Sequence, residues 1–361
     1  MNFHDSERMI GILKDEGYNL TDNPDKADLI ILNTCSIREK AEQKFYSDLG
    51  RLRKLKKTNP RLKIGVGGCI AQQEGEKIFK KVPYVNLVLG PQNIESLPDL
   101  IGTEKSTSLE DRPDNSQTYI NPHRFDRIKA WVTIMYGCDN FCSYCVVPYT
   151  RGRERSRPWI DIYREVKELS EAGYKEVTLL GQNVNSYGSG LEDGMDFPEL
   201  LYKIHSIDGI KRIRFVTSHP KDFSRNLVNA IKELSKVCEH IHLPLQSGSD
   251  SVLNLMKRGY IYSDYKEEIE LLRAEVPGIA ITTDIITGFP GESEEDFEKT
   301  VKALKENNYD GIFAFKYSKR PNTSAVKFPD HISDEVKAKR LSKGLEIQDE
   351  ITLKKNKELI G

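Results

Sequence analysis

Between Ala130 and Tyr317 six β-rich runs recur, each separated from the next by an amphipathic helical pattern. The spacing predicts strands at Ala130–Tyr136, Glu176–Leu180, Arg212–Thr217, His240–Leu245, Ala280–Thr287 and Ile312–Tyr317. Helices are expected between them, among others at Ile160–Ala172, Pro198–Ser206, Arg225–Lys236 and Ser293–Asn307. Such alternation forces parallel pairing, because each strand must be reached by a crossover. Six consecutive units suit an incomplete (β/α)6 barrel better than a doubly wound sheet. In barrels the reactive residues gather on the loops that follow the strands.

The same alternation governs the first hundred residues. A helix from Ser6 to Glu16 is followed by a strand at Leu29–Asn33 and a basic helix from Ile37 to Lys57. Then come a strand at Lys63–Gly67, a helix at Gln72–Lys80, a strand at Asn86–Leu89 and a helix at Ile94–Ile101. This pattern predicts an open parallel α/β domain over residues 1–102 that lacks its first strand, since a helix follows Met1 almost at once. Residues 103–127 are polar, with little periodicity, and read as a linker. The barrel is expected over 128–345 and a helical, lysine-rich tail over 346–361.

Composition narrows the function classes. The 54 Lys and Arg residues nearly cancel the 55 Asp and Glu, giving a net charge of −1, so no global field draws the chain to nucleic acid. Any RNA contact must come from a local patch. No apolar run approaches the roughly 20 residues that span a bilayer, and the polar start MNFHDSERMIG does not resemble a signal peptide. A cytoplasmic setting without membrane contact is expected, where cysteines stay reduced and free to bind metal.

Three of the six cysteines fall within eight residues, as Cys138-x3-Cys142-x2-Cys145, directly after the first barrel strand. A disulfide framework wants an even number and a structural zinc site wants four ligands. A zinc site would have to recruit a fourth ligand such as His123 or Cys238. Three thiolates suit a cubic iron–sulfur cluster with one iron left open for a small molecule. Tyr136, Phe141 and Tyr144 around the cysteines would keep such a cluster dry.

The motifs "YGCDNFCSYCVVPYTRGRERSRP", "LLGQNVNSYG", "RFVTSHP", "HLPLQSGSD" and "TTDIITGFPGE" together resemble the radical S-adenosylmethionine methylthiotransferases that act on tRNA, over nearly the whole chain. The resemblance implies two [4Fe-4S] clusters and two uses of S-adenosylmethionine. One molecule methylates sulfur at an N-terminal cluster, and the other is cleaved reductively at Cys138, Cys142 and Cys145. The implied reaction puts a methylthio group on C2 of N6-isopentenyladenosine at position 37 of tRNA. Implied partners are the tRNA anticodon loop and an electron donor of the flavodoxin or ferredoxin type, with the enzyme acting as a monomer. Alternatives are threonylcarbamoyl-adenosine in tRNA or a ribosomal-protein aspartate as substrate. A zinc-stabilised RNA-binding module without catalysis is the alternative from another class.

The resemblance also gives Cys35 and Cys69 a reading as ligands of the second cluster. Each follows a predicted strand, where ligands gather in parallel α/β domains; taken alone, two such thiols fit a buried core equally well. In the family a third cysteine stands in a Gly-Cys-Gln-Met-Asn stretch after the first strand, immediately before the point where this chain begins. As written the second cluster has two of its three cysteines. A C-terminal β-rich RNA-binding domain would begin where "IQDEITLKKNKELIG" stops. Cys238 matches no motif and reads as a core residue.

Gln182, Asn183, Ser218, Gln246 and Asp284 follow or lie in barrel strands and are candidates for binding the cofactor's polar groups. His219 and Ser247 share that mouth, while His123, His205 and His331 read as surface residues. Gly288 and Gly291 would let the backbone approach a ligand closely. Arg151, Arg153, Arg155 and Arg157 stand one step past the cysteine loop and are candidates for tRNA phosphate contacts. They could instead pair with carboxylates such as Glu154 or Glu165, or hold the cofactor. The basic stretch from Arg51 to Lys63 reads as a solvated helix face before it reads as a phosphate track.

Overall fold

A computed structural model of the chain describes residues 1–35, 39–110 and 120–360, with side chains left out at 39–41. It divides into two compact units. One comprises residues 1–127 with 136–138 and 146–157. The other comprises 128–135, 139–145 and 158–361.

The first unit is built on four parallel strands in sequential order: Leu29–Thr34, Lys63–Gly68, Leu87–Leu89 and Ser106–Ser108. Its central strand is buried over nearly its whole length because both faces are covered. On one face Phe45 and Leu49, from the helix Glu39–Thr58, pack with Ile64, Val66 and Val88. On the other, Met9 of the helix Asn2–Asp15 packs with Leu87, Leu89, Ile94 and Leu97. The long helix was expected from Ile37, a position outside the described residues. The helix expected at Gln72–Lys80 is two short ones, Cys69–Glu74 and Lys77–Lys81, parted at Gly75.

The expected linker is structured in part. Ser106–Ser108, inside it, is the edge strand of the sheet. Asn121 packs its carbonyl against Gly11, where a Cβ would stand 2.1 Å away. Polar composition conceals both contacts, because an edge strand and a docked backbone need hydrogen bonds more than apolar side chains. Residues 111–119 of that stretch lie outside the described residues.

The second unit carries six parallel strands in two hydrogen-bonded triplets. Lys129–Thr133, Glu176–Leu180 and Arg212–Val216 form one. His240–His242, Ala280–Thr287 and Gly311–Lys316 form the other. A parallel bridge at Ile213–Val237 leads from the first triplet toward the second. The fourth strand is shorter than the alternation predicts, and Gln246 re-enters the sheet as a single bridge to Ile285. Strand residues alternate between a face packed on the helices and a half-exposed inner face, most clearly along Ala280–Thr287. The expected boundary near residue 345 falls inside one helix, Asp334–Glu358. No helix among the described residues is long and apolar enough to cross a membrane.

Candidate functional site

In the first unit the strand Leu29–Thr34 delivers Cys35, and the strand Lys63–Gly68 delivers Cys69 at the first position of the helix Cys69–Glu74. Gly68 makes that delivery possible. Its φ is +89°, and a Cβ there would stand 2.5 Å from both Asn33 Oδ1 and the Thr34 carbonyl. The two thiols meet. The Cys35 hydrogen bond, helped by the Arg151 guanidinium and the Thr150 hydroxyl, brings the Cys69 thiol down to about 5, against a burial that pushes it up. Thr150 belongs to the short helix Val147–Thr150, which packs on the Cys69 helix. No disulfide joins any of the six cysteines.

Arg151 was expected on tRNA phosphate. Instead it is 6% exposed, with Nη2 2.7 Å from Asp5 Oδ2. Arg157 is buried as well, and the half-buried Arg155 donates to Gln92 Oε1 at 2.9 Å. Only Arg153 of the four is exposed. Neither Glu154 nor Glu165 is the partner of Arg151; the carboxylate comes from the first helix of the chain. Arg153 follows a close approach that demands glycine, since a Cβ on Gly137 would stand 2.0 Å from its carbonyl.

Cys138, whose backbone N–H donates to the Gly152 carbonyl at 3.3 Å, falls in the first unit. Cys142 and Cys145 fall in the second and are tied by Cys145 N–H to Cys142 O at 3.0 Å. Ser143 between them bonds the Leu255 carbonyl through its hydroxyl and the Met256 carbonyl through its N–H. Phe141 does not shield the loop: it is 36% exposed with a left-handed φ of +45°. Among the described residues no three His, Cys, Asp or Glu side chains are gathered as a metal-ligand group. His123, one candidate fourth zinc ligand, lies 3.1 Å from Lys14 Nζ, and burial raises the thiol of the other, Cys238.

The mouth of the second unit fits a polar small molecule. Both amide atoms of Gln182, the Ser218 hydroxyl, His219 Nε2, Asn183 Oδ1 and Gln246 Oε1 are buried with no hydrogen-bond partner among the described residues. Native proteins seldom leave such groups unpaired unless a ligand or water meets them. Thr217, directly after the third strand, and Gln246, the bridge residue beyond the fourth, both hold φ of +72°, a strained region for residues with a Cβ. Burial, reinforced by the Arg258 and Lys221 charges, pushes His219 down to about 2, so its ring is neutral. Two of the expected residues are engaged within the protein. Asn183 Nδ2 donates to Asp222 at 2.6 Å, and Asp284 lies mid-strand, 3.5 Å from His242 Nε2.

Sequence reasoning missed Arg258. It follows the helix Asp250–Leu255, is 4% exposed, and donates from Nη1 to Cys142 Sγ at 3.4 Å. Nothing in "NLMKRGY" marks this arginine apart from its surface neighbours.

Residues 1–90 match the uncharacterized protein family UPF0004, and residues 132–304 match the radical SAM superfamily. A tRNA-2-methylthio-N(6)-dimethylallyladenosine synthase of Thermodesulfovibrio yellowstonii is 56% identical over 363 aligned residues, covering all of this chain and 84% of that protein. The chain belongs to this synthase family. Synthases of the same name from Syntrophus aciditrophicus and Thermoanaerobacter pseudethanolicus are 50% and 48% identical, covered to 80% and 78% of their lengths. Beyond the synthases, the fold is shared with the radical S-adenosylmethionine methyltransferase TsrM of Kitasatospora setae. That likeness has a TM-score of 0.66 at 14% identity, over 90% of this chain and 72% of TsrM. The radical enzyme OxsB follows at 0.58 and 15%, over 96% of this chain and 49% of OxsB.

Proposed function

We propose that this chain is a tRNA methylthiotransferase that places a methylthio group on C2 of N6-isopentenyladenosine at position 37. The observation that carries the reading is 56% identity to a synthase of that name along the entire chain. Cys138, Cys142 and Cys145 would hold a [4Fe-4S] cluster, and Cys35 and Cys69 would contribute to a second. When bound, the clusters supply one-electron reduction of S-adenosylmethionine and a sulfur that can be methylated and transferred. Radical chemistry suits the substrate, because an aromatic C2–H is neither acidic nor electrophilic enough for proton-transfer or nucleophilic catalysis.

The chain's own residues do the rest. Gln182, Ser218, His219 and Gln246 offer unpaired buried donors and acceptors to the cofactor's amino, carboxylate and ribose groups. With Nδ1 accepting from the Lys221 N–H at 3.1 Å, the neutral His219 carries its proton on Nε2 and offers it to a carboxylate or ribose oxygen there. Arg151 and Asp5 tie two chain segments together beside the Cys35–Cys69 thiols. Arg153 remains the arginine suited to a tRNA phosphate. The expected partners are tRNA and a flavodoxin- or ferredoxin-type donor, with the protein monomeric and cytoplasmic. Nucleoside analysis of tRNA from cells with and without the intact gene tests the reading. Loss of the 2-methylthio nucleoside is expected, and its persistence at wild-type level overturns the assignment.

A further inference from the structure

Arg258 is a buried cation that lies against a sulfur, Cys142 Sγ. Its guanidinium has five N–H donors, and its contacts are well defined. Nε donates to Tyr260 Oη at 3.0 Å, and Nη2 to the Pro244 carbonyl at 3.0 Å. Nη1 reaches Cys142 Sγ and Tyr144 Oη, each at 3.4 Å. Among the described residues no carboxylate pairs with it; its partners are a carbonyl, two phenols and one thiol. Burying a guanidinium without a counter-ion is costly. Of these partners Cys142 Sγ belongs to the three-cysteine loop, and a cluster held there would be the anionic group that offsets that cost.

The placement is rigid. Lys257, in the left-handed region at φ +58°, turns the chain back after the helix Asp250–Leu255, and the Arg258 N–H closes that turn on the Leu253 carbonyl at 3.0 Å. Tyr260 anchors the far side by bonding the Pro244 and Leu245 carbonyls. Four of the guanidinium's contacts are thus made within the protein, which leaves little of it for a small molecule.

We propose that Arg258 sets the reduction potential of the cluster bound through Cys142, by holding a fixed positive charge and a hydrogen bond against that sulfur. The inference rests on the reading of Cys142 as a cluster ligand. Positive charge and hydrogen bonds at a cluster sulfur favour the more negative, reduced state, so they raise its potential. Arg258 is a positioning residue. It acts on the ease of one-electron reduction, with the electron supplied by the external donor.

The test is a dye-mediated reductive titration of anaerobically reconstituted protein. It follows the electron paramagnetic resonance signal that changes when S-adenosylmethionine is added, because that response isolates the open-iron cluster. Arg258→Met should carry full iron, bind S-adenosylmethionine within twofold of wild type, and show a more negative midpoint potential with altered g-values. Arg258→Lys, which keeps the charge but not the fork, should recover part of the shift. An unmoved potential in the Met variant overturns the proposal. Should that variant fail to fold, an unmoved potential in the Lys variant does the same. Loss of iron from both variants at unchanged melting temperature also overturns it, because the arginine would then serve assembly. Weakened cofactor binding at an unmoved potential would make Arg258 a cofactor residue instead. Full four-iron loading of a Cys142→Ala protein would strike the ligand reading itself, a failure separable from these.

Discussion

Arg151 Nη2 and Asp5 Oδ2 stand 2.7 Å apart, joining residues 146 positions distant in a pair whose side chains are 8% and 1% exposed. The second carboxylate oxygen, Asp5 Oδ1, is buried without a partner among the described residues. The pair lies against the Cys35–Cys69 thiols, where Arg151 favours the ionised form of Cys69. An arginine in an RGRER run therefore serves the interior of its own unit.

Removing one member of a buried ion pair strands the other charge, at a cost of about 3–5 kcal/mol. Arg151→Gln should lower the melting temperature of the first unit sharply, while the salt slope of tRNA binding stays that of wild type. Arg153→Gln should do the reverse, leaving stability intact and flattening the slope by about one phosphate contact. A flattened slope in Arg151→Gln at native stability would return that arginine to the RNA site.

The three-cysteine loop is tested by metal content. Two thiolates cannot hold a cubic cluster with one defined open iron, so Cys142→Ala should lose both the cluster absorbance and reductive cleavage of S-adenosylmethionine. Iron and acid-labile sulfide, measured against zinc in anaerobically purified protein, separate this from the zinc alternative. Stoichiometric zinc would end the radical assignment.

Gln246 offers a cleaner probe of the cofactor mouth than most residues, because its backbone is left-handed. Gln246→Gly keeps that backbone without strain and deletes the unpaired amide. Binding of S-adenosylmethionine, followed by calorimetry, should weaken about tenfold, the loss of one hydrogen bond of about 1.4 kcal/mol. Unchanged affinity would remove Gln246 from the site.

Burial, together with the Asp264 charge, pushes the Glu268 carboxyl up to about 8, and its Oε2 is buried without a partner among the described residues. The folded protein then holds a proton that the unfolded chain releases near pH 4.5, so stability falls as pH rises from about 4.5 to about 8. Glu268→Gln should remove that slope. The variant is expected to match wild type at pH 4 and to exceed it at pH 9 by on the order of 1–2 kcal/mol after solvent screening. Melting temperatures at the two pH values check this; parallel curves for the two proteins would refute it.

The amino-acid sequence by itself determined the succession of elements, because hydrophobic periodicity is a local property of the backbone's own geometry. Glu176–Leu180 and Ala280–Thr287 occur with the boundaries their patterns predict. Cysteine spacing and the placement of Gln182, Ser218 and Gln246 past strands were legible for the same reason: parallel βα units carry strand-end residues to one edge. Short or irregular pieces were not legible, as with the edge strand Ser106–Ser108, since too few residues define a period. Which charges turn inward was decided by tertiary structure alone. Arg151 and Arg258 look like any surface arginine in sequence, and their partners Asp5 and Cys142 lie 146 and 116 residues away. Burial of a charge depends on what the folded chain brings to meet it, and no local pattern encodes that.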